Sequence, residues 1–346
     1  MTKPKKPLGR HPFIWAAISC GLILVIIILC FVWPLFFSKS RNAGIIKIPA
    51  GATEQVVKDS LTKYFGEKYA SDIVRIAKFR KSDFSNRHGA YMIDSGIPPI
   101  KAERILTHGV QHPFTITINC FRGKKILADK VSSKLDFTPD SLEKVISDPN
   151  FLDAYNLDRE QGLALFIDDS YQFYWSASPK SVAEKIGKHY NQIWNEERRK
   201  KAEALGLSPA EIIILASIAD EETNKADEKG KVARLYMNRI KKGMKLQADP
   251  TVKFALGDFS LRRIRSKHLE ADSPYNTYKV NGLPPGPIRT VTVADIDAVL
   301  NAGEHDYLYM CAKDDFSGYH FFAKDYNTHM QNARKYQKAL NRRNIK

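Results

Sequence analysis

The stretch from residue 13 to residue 37, FIWAAISCGLILVIIILCFVWPLFF, contains no charged side chain. A helix of roughly 25 apolar residues, rising about 1.5 Å per residue, is long enough to cross a bilayer core of about 30 Å. The expectation is a transmembrane anchor over 13–37 behind a basic tail over 1–12. Lys3, Lys5, Lys6 and Arg10 in that tail hold the amino terminus in the cytoplasm by the positive-inside rule, which places the chain after Ser38 outside. A cleaved signal peptide would have a shorter apolar region ending in small residues. Here the run ends in WPLFFSKS, and the small residues AAISC around Cys20 are followed by further apolar sequence. The sequence therefore reads as an uncleaved single-pass anchor.

That topology gives the charge its meaning. The formal net charge is +16, which attracts polyanions. For an exported chain, the polyanions to expect are wall polymer and the membrane surface, and nucleic acid is not an expected partner. A basic surface that only confers solubility is the competing reading. Cys20 and Cys30 lie in the apolar run, and Cys120 and Cys311 stand alone. There is thus no disulfide framework and no zinc spacing. His268, His305, His320 and His329 show no paired ligand spacing either, so neither metal nor cofactor is expected.

Residues 44–112 read as a small α+β module. Alternation at Ile46 and Ile48, a Pro-Ala-Gly turn and a helical pattern at Val56, Val57, Leu61 and Phe65 give strand, turn and helix. A second helix is expected over 71–79, a short strand over 90–93 and a helix through Ile105 and Leu106. Residues 113–346 form a larger mixed α+β domain. FTITIN at 114–119 alternates cleanly as a strand, and helices follow near 124 and 139. LALFIDDSYQFYW reads as a strand and turn before a helix opened by Ser178-Pro179. Tyr171, Phe173, Tyr174 and Trp175 in that segment could stack on sugar rings or fill a core. The fold class is α+β throughout the part beyond the anchor.

SPAEIIILASIADEET at 208–223 concentrates the chemistry. Ser208, Pro209 and Glu211 stand at the N-cap, N1 and N3 positions of a capping box. At about 100° per residue, with Glu222 at zero, Leu215 lies about 20° away, Ile218 about 40° and Ala219 about 60°. Glu222 therefore sits on the apolar stripe, Glu221 at its edge, and Asp220 on the opposite side beside Ser217. A carboxyl in apolar surroundings has a raised pKa and stays protonated near neutrality, as a general acid must. A buried glutamate paired with Arg234 or Arg239 of the next helix would give the same pattern, and helix geometry alone leaves both open. That next helix is expected over 228–242, with Gly243 as its C′ residue. The loops MKLQADPTVKFALG and SPYNTYKVNGLPPGPI then present amide and hydroxyl groups on rigid turns.

ASIADEET, VARLYMNRIKKGMKLQADPTVKFALG, SPYNTYKVNGLPPGPI and HDYLYMCAKDDFSGYHFFAKDYNTH, in this order and spacing, strongly resemble the endolytic murein transglycosylase (MltG, or YceG-like) family. RHGAYMI resembles the family's AGxYxF segment, and ALFIDDSY its LFPDTY segment. The resemblance implies a LysM-like character for the 44–112 module and a YceG-like catalytic domain over 113–346. It also implies a lytic transglycosylase, which cleaves the β-1,4 bond between N-acetylmuramic acid and N-acetylglucosamine and leaves a 1,6-anhydro end. Its catalytic glutamate, the one before threonine in ExET, falls on Glu222. Three departures stand out: Asp220 replaces the motif's first glutamate, LFPDTY becomes Phe166-Ile167-Asp168-Asp169-Ser170-Tyr171, and EHN becomes Thr328-His329-Met330.

Gln247, Asp249, Asn276, Thr277 and Tyr278 are taken together as the substrate-binding group. Peptidoglycan strands are the expected partner, with peptidoglycan synthases at the membrane beside them. The single-pass anchor places the catalytic domain on the periplasmic side of the inner membrane. Two alternatives stay open: a membrane-anchored peptidoglycan-binding scaffold without catalysis, and a conventional hydrolase with Asp249 as second carboxylate.

Overall fold

The computed structural model describes residues 12–261 and 263–343; the basic tail with Lys3, Lys5, Lys6 and Arg10 lies outside them. The described chain opens on α1 (Pro12–Ile27), a π-helical turn (Ile28–Val32) and α2 (Trp33–Phe37). Phe13–Phe37 is long and apolar enough to cross a membrane, and its large apolar side chains other than Leu35 are exposed. Pro34 accounts for the π turn. It has no N–H to give the carbonyl of Cys30 and its ring crowds that carbonyl, so the helical ladder widens ahead of it.

The chain divides into two compact units. One runs to Phe114 and takes in Tyr174–Ser176; the other comprises 115–173 and the chain from 177 onward. The first unit holds β1 (Gly44–Ile48), α3 (Glu54–Phe65), α4 (Glu67–Arg80), β2 (Gly89–Ile93) and α5 (Pro99–His108). β1 and β2 pair antiparallel with Ile46 opposite Tyr91. Their inward side chains join Leu61, Ile73 and Leu106 in one core. The Thr53 hydroxyl caps α3 by accepting the N–H of Val56. Ser40 ties the segment after α2 into this unit. Its N–H donates to the Ile97 carbonyl, its carbonyl accepts from Gly96, and its hydroxyl donates to the Asp94 carbonyl.

β3 (Pro113–Ile118) carries the chain into the second unit, with Ile116 and Ile118 buried and Thr115 and Thr117 exposed. Then come α6 (Lys124–Ser132), α7 (Pro139–Val145), α8 (Pro149–Leu152), β4 (Asp169–Tyr174), α9 (Pro179–Ile193) and α10 (Glu196–Ala204). α11 (Pro209–Glu222), α12 (Ala226–Lys241), α13 (Asp249–Leu256) and α14 (Val293–Leu300) follow, and the described chain ends with β5 (Tyr309–Ala312), β6 (His320–Ala323) and α15 (Tyr326–Arg342). Among the described residues the sheets are the pairs β1–β2, β3–β4 and β5–β6, so the fold is mixed α+β.

Two local expectations change, and one open alternative is resolved. The LALF segment is a 3-10 helix (Glu160–Leu165), and the strand begins only at Asp169. Tyr171, Phe173 and Trp175 are buried and Tyr174 is exposed, so three of these four aromatics are core residues. The loop after residue 243 contains α13, with Pro250 in its first turn.

α11 is the centre of the second unit. Ala210 and every residue from Ile212 to Ala219 are buried, so the helix is enclosed on all sides. Ser208 and Glu211 form the capping box in full. Ser217, completely buried, donates to the Ile214 carbonyl and accepts the N–H of Ile288, fastening the GLPPGPI loop to the helix. In that loop, a Cβ on Gly286 would lie 2.3 Å from the Glu160 carbonyl oxygen. α12 lies as close to α14: a Cβ on Gly230 would lie 2.6 Å from the Ala298 carbonyl oxygen. These glycines are required by close backbone approach.

Candidate active site

α11 ends on three acids with different partners. Asp220 is ion-paired with Lys229 and Arg289. Glu221 is held by Arg122 at 2.8 Å and Arg289 at 3.2 Å. Lys229 also reaches Asp295, the N3 residue of the Thr292 capping box that opens α14. Burial works against the Asp295 carboxylate, but hydrogen bonds from Lys229 and Thr292 outweigh it and hold its pKa below the usual range. This network satisfies two of the acids and locks α11 to α12 and α14.

Among the described residues Glu222 makes no ion pair, and the Lys253 charge acts on it only weakly, after burial, the Tyr236 hydrogen bond and Asp249. Its Oε1 accepts the hydroxyl of Tyr236 at 2.8 Å. Arg234 and Arg239, the partners that a structural glutamate would need, are engaged elsewhere. Arg234 donates to the Ala302 carbonyl; Arg239 donates to the carbonyls of Lys245 and Leu308 and to the side chain of Gln247. Burial raises the Glu222 carboxyl to about 7; the Tyr236 hydrogen bond opposes the shift, and the nearby Asp249 charge adds to it. The same burial, with the Glu222 charge, pushes the Tyr236 hydroxyl well above its ordinary value, so it remains a donor.

Glu222 opens onto a pocket of about 420 Å³. α12 contributes Leu235, Tyr236 and Arg239, the turn before α13 contributes Gln247, and the first residue of α13 is Asp249, also in the wall. β5, His320, Tyr326 and His329 close the other side. Gln247 has φ of +52°, in the left-handed region where few non-glycine residues lie. The Arg239 guanidinium on its side-chain oxygen and its N–H on the Thr277 carbonyl hold it there. Tyr278 donates to Asp249 at 2.6 Å, and burial followed by this bond raises the phenol's pKa.

Of the five residues grouped for substrate binding, Gln247, Asp249 and Tyr278 line the pocket with Glu222. Asn276 and Thr277 do not, and both are completely buried. Asn276 donates to the carbonyls of Leu269 and Ala271 and accepts the N–H of Tyr278. The Thr277 hydroxyl accepts the N–H of Ala248 and shares a hydrogen bond with Thr251. Their polar groups are spent inside the protein, where they shape the turns that present Gln247 and Tyr278. Sequence reasoning did not single out Tyr236, Arg239, Tyr309, His320, Tyr326 or His329 as pocket residues. Tyr236 carries one signal: at helical spacing it shares one face with Val232, Leu235 and Ile240 on the helix after Glu222.

The Asp168 segment, altered from LFPDTY, lies elsewhere. One Asp168 oxygen accepts the N–H of Cys120 at 3.0 Å, and Ile167 bridges in parallel to Val291. Burial raises the Asp168 carboxyl. His329, from the altered EHN segment, remains in the pocket wall, stacked on Tyr309 with 5.3 Å between ring centroids.

A carboxyl that burial raises to about 7, with phenol, amide and imidazole groups around it, has the chemistry that general acid/base work requires. The YceG-like family model matches residues 46–335, and the chain belongs to that family. Over 152 residues it is 37% identical to the endolytic murein transglycosylase of Bacillus subtilis (strain 168), a match covering 44% of this chain and 40% of that protein. It is 30% identical over 131 residues to the endolytic murein transglycosylase of Streptococcus pneumoniae (strain D39), covering 37% of this chain and 24% of that one. The matched stretch thus spans less than half the length of these relatives. The crystal structure of a YceG-like protein from Listeria monocytogenes resembles it with a TM-score of 0.56 at 25% identity, over 84% of this chain and 99% of that one.

Proposed function

We propose that this protein is a membrane-anchored lytic transglycosylase that cleaves the β-1,4 bond between N-acetylmuramic acid and N-acetylglucosamine in peptidoglycan strands. The observation that carries this reading is Glu222, the acid at the end of α11 that makes no ion pair among the described residues, raised by burial to a pKa of about 7 at the wall of the pocket. Its protonated carboxyl donates to the leaving oxygen as the bond to C1 breaks. The resulting carboxylate takes the proton of the muramic acid C6 hydroxyl, whose oxygen closes onto C1 and leaves the 1,6-anhydro ring. Atoms and protons balance without water, because the nucleophile is already part of the substrate. Gln247, Asp249 and Tyr278 contact the sugars, and Asn276 and Thr277 position them. The uncharged helix anchors the chain with its amino terminus in the cytoplasm and the pocket on the periplasmic side, where membrane-bound synthases make new strands. The 44–112 module serves as a LysM-like adjunct to the pocket.

Digestion of purified glycan by the full chain, followed by mass spectrometry, tests this. The expected products carry 1,6-anhydro ends and disappear with Glu222→Gln. Retained product in that variant would remove Glu222 from the role. The presence of Asp249 in the same pocket gives the hydrolase reading one observation of its own, and that reading requires reducing ends in place of anhydro ends. Binding without any product would leave a scaffold.

A further inference from the structure

Thr223, the residue directly after Glu222, is buried, and its hydroxyl donates to Oε2 of Glu228 at 3.3 Å. Glu228 is buried on α12 and lies too deep to meet substrate itself. Both its oxygens are engaged. Oε1 accepts the backbone N–H of His320 at 2.9 Å, and Oε2 lies 2.9 Å from His320 Nδ1. A carboxylate offers these three groups acceptor oxygens only. Nδ1 of His320 therefore carries a proton, and the ring is held both in angle and in tautomer, as a histidine is when a buried carboxylate backs it. Nε2 has no hydrogen-bond partner among the described residues, and His320 lines the pocket that Glu222 opens onto. One buried carboxylate thus fixes the backbone next to Glu222 and the imidazole across the pocket.

We propose that His320 contacts the glycan, its Nε2 hydrogen-bonding a sugar hydroxyl, and that Glu228 is the residue that positions it. A hydroxyl both donates and accepts, so it can meet this nitrogen in either protonation state. The inference rests on a glycan occupying the pocket and assigns no proton transfer to His320.

The test uses the full chain in detergent micelles, labelled with ¹⁵N-histidine, in a Glu222→Gln background that prevents turnover. The probe is a soluble, peptide-stripped strand of alternating N-acetylglucosamine and N-acetylmuramic acid. The His320 ring signals, identified by their loss in His320→Gln, should show the proton on Nδ1, and the Nε2 signal should shift on titration with the probe. His320→Gln and Glu228→Gln should each weaken binding about tenfold, the second also changing the His320 tautomer. Strand binding that leaves the Nε2 signal unmoved would overturn the proposal, as would undiminished affinity in folded His320→Gln, or no binding by the parent chain. Because binding is read without turnover, the contact can hold while the wild-type chain fails to release anhydro ends. That result would discard the catalytic reading alone.

Discussion

The Tyr236 hydroxyl lies 2.8 Å from Oε1 of Glu222 and donates to it. The tyrosine therefore stabilises the carboxylate form against the burial that disfavours it. Tyr236→Phe removes that donor without changing the ring. The limb of the pH–rate profile governed by Glu222 should move to higher pH, by up to about one unit, with a rate loss on the order of tenfold. An unchanged limb in the folded variant would show that the bond does not tune the carboxyl.

Glu222 also makes stability depend on pH. Its folded value of about 7 stands above the unfolded value of 4.5. A group raised on folding favours the folded state fully below its unfolded pKa and loses that advantage as pH rises through the folded one. The native chain should therefore lose stability between about pH 4.5 and pH 7 through this group, by on the order of 3 kcal/mol at most. Glu222→Gln carries no such dependence. Denaturant titrations should show the variant gaining on the native chain from pH 5 to pH 8, and parallel curves would contradict the raised pKa.

Asp220 should behave differently from Glu222. It is ion-paired with Lys229 and Arg289 and does not line the pocket. Asp220→Asn keeps the shape and leaves two cations undercompensated, which should cost about 2–4 kcal/mol. The pH limb set by Glu222 should stay within a few tenths of a unit. A thermal melt combined with a pH–rate profile separates these effects, and a displaced limb would mean that Asp220 tunes the reaction.

Gly230 lets α12 approach α14. Gly230→Ala would place a Cβ 2.6 Å from the Ala298 carbonyl oxygen, so one helix must move. The expected cost is about 1–3 kcal/mol, offset slightly by alanine's better helix propensity. α12 also carries Glu228, Tyr236 and Arg239, so activity should fall with stability. A melting temperature equal to that of the native chain would show that the contact relaxes freely.

What was legible in the sequence was local. Ser208, Pro209 and Glu211 announce the start of α11 within four residues, and the alternation of Ile116 and Ile118 announces β3. The helical wheel placed Glu222 on an apolar stripe, but α11 is buried on every side, so a stripe is not what separates its three acids. Cations separate them, and Arg122 and Arg289 come from positions about 99 and 68 residues away from Glu221. No periodicity reports such a meeting. α13 was hidden for another reason: at eight residues it is short, and its polar flanks have the composition of a loop. Asn276 and Thr277 were chosen for their polar groups, yet the fold turns those groups inward, which composition cannot show. His320 belongs to the pocket because β6 and α12 meet around Glu228.

The bonds made by Ser40 set a limit on reach. Ser40 stands three residues beyond Phe37, and both its backbone groups and its hydroxyl are already committed to Asp94, Gly96 and Ile97. The first unit therefore has no leash. If Phe13–Phe37 spans a bilayer, a longer tether would let the unit search a shell of space above the lipid, whereas this one would keep it at the surface, and the strands of the proposed reaction would have to come to the membrane.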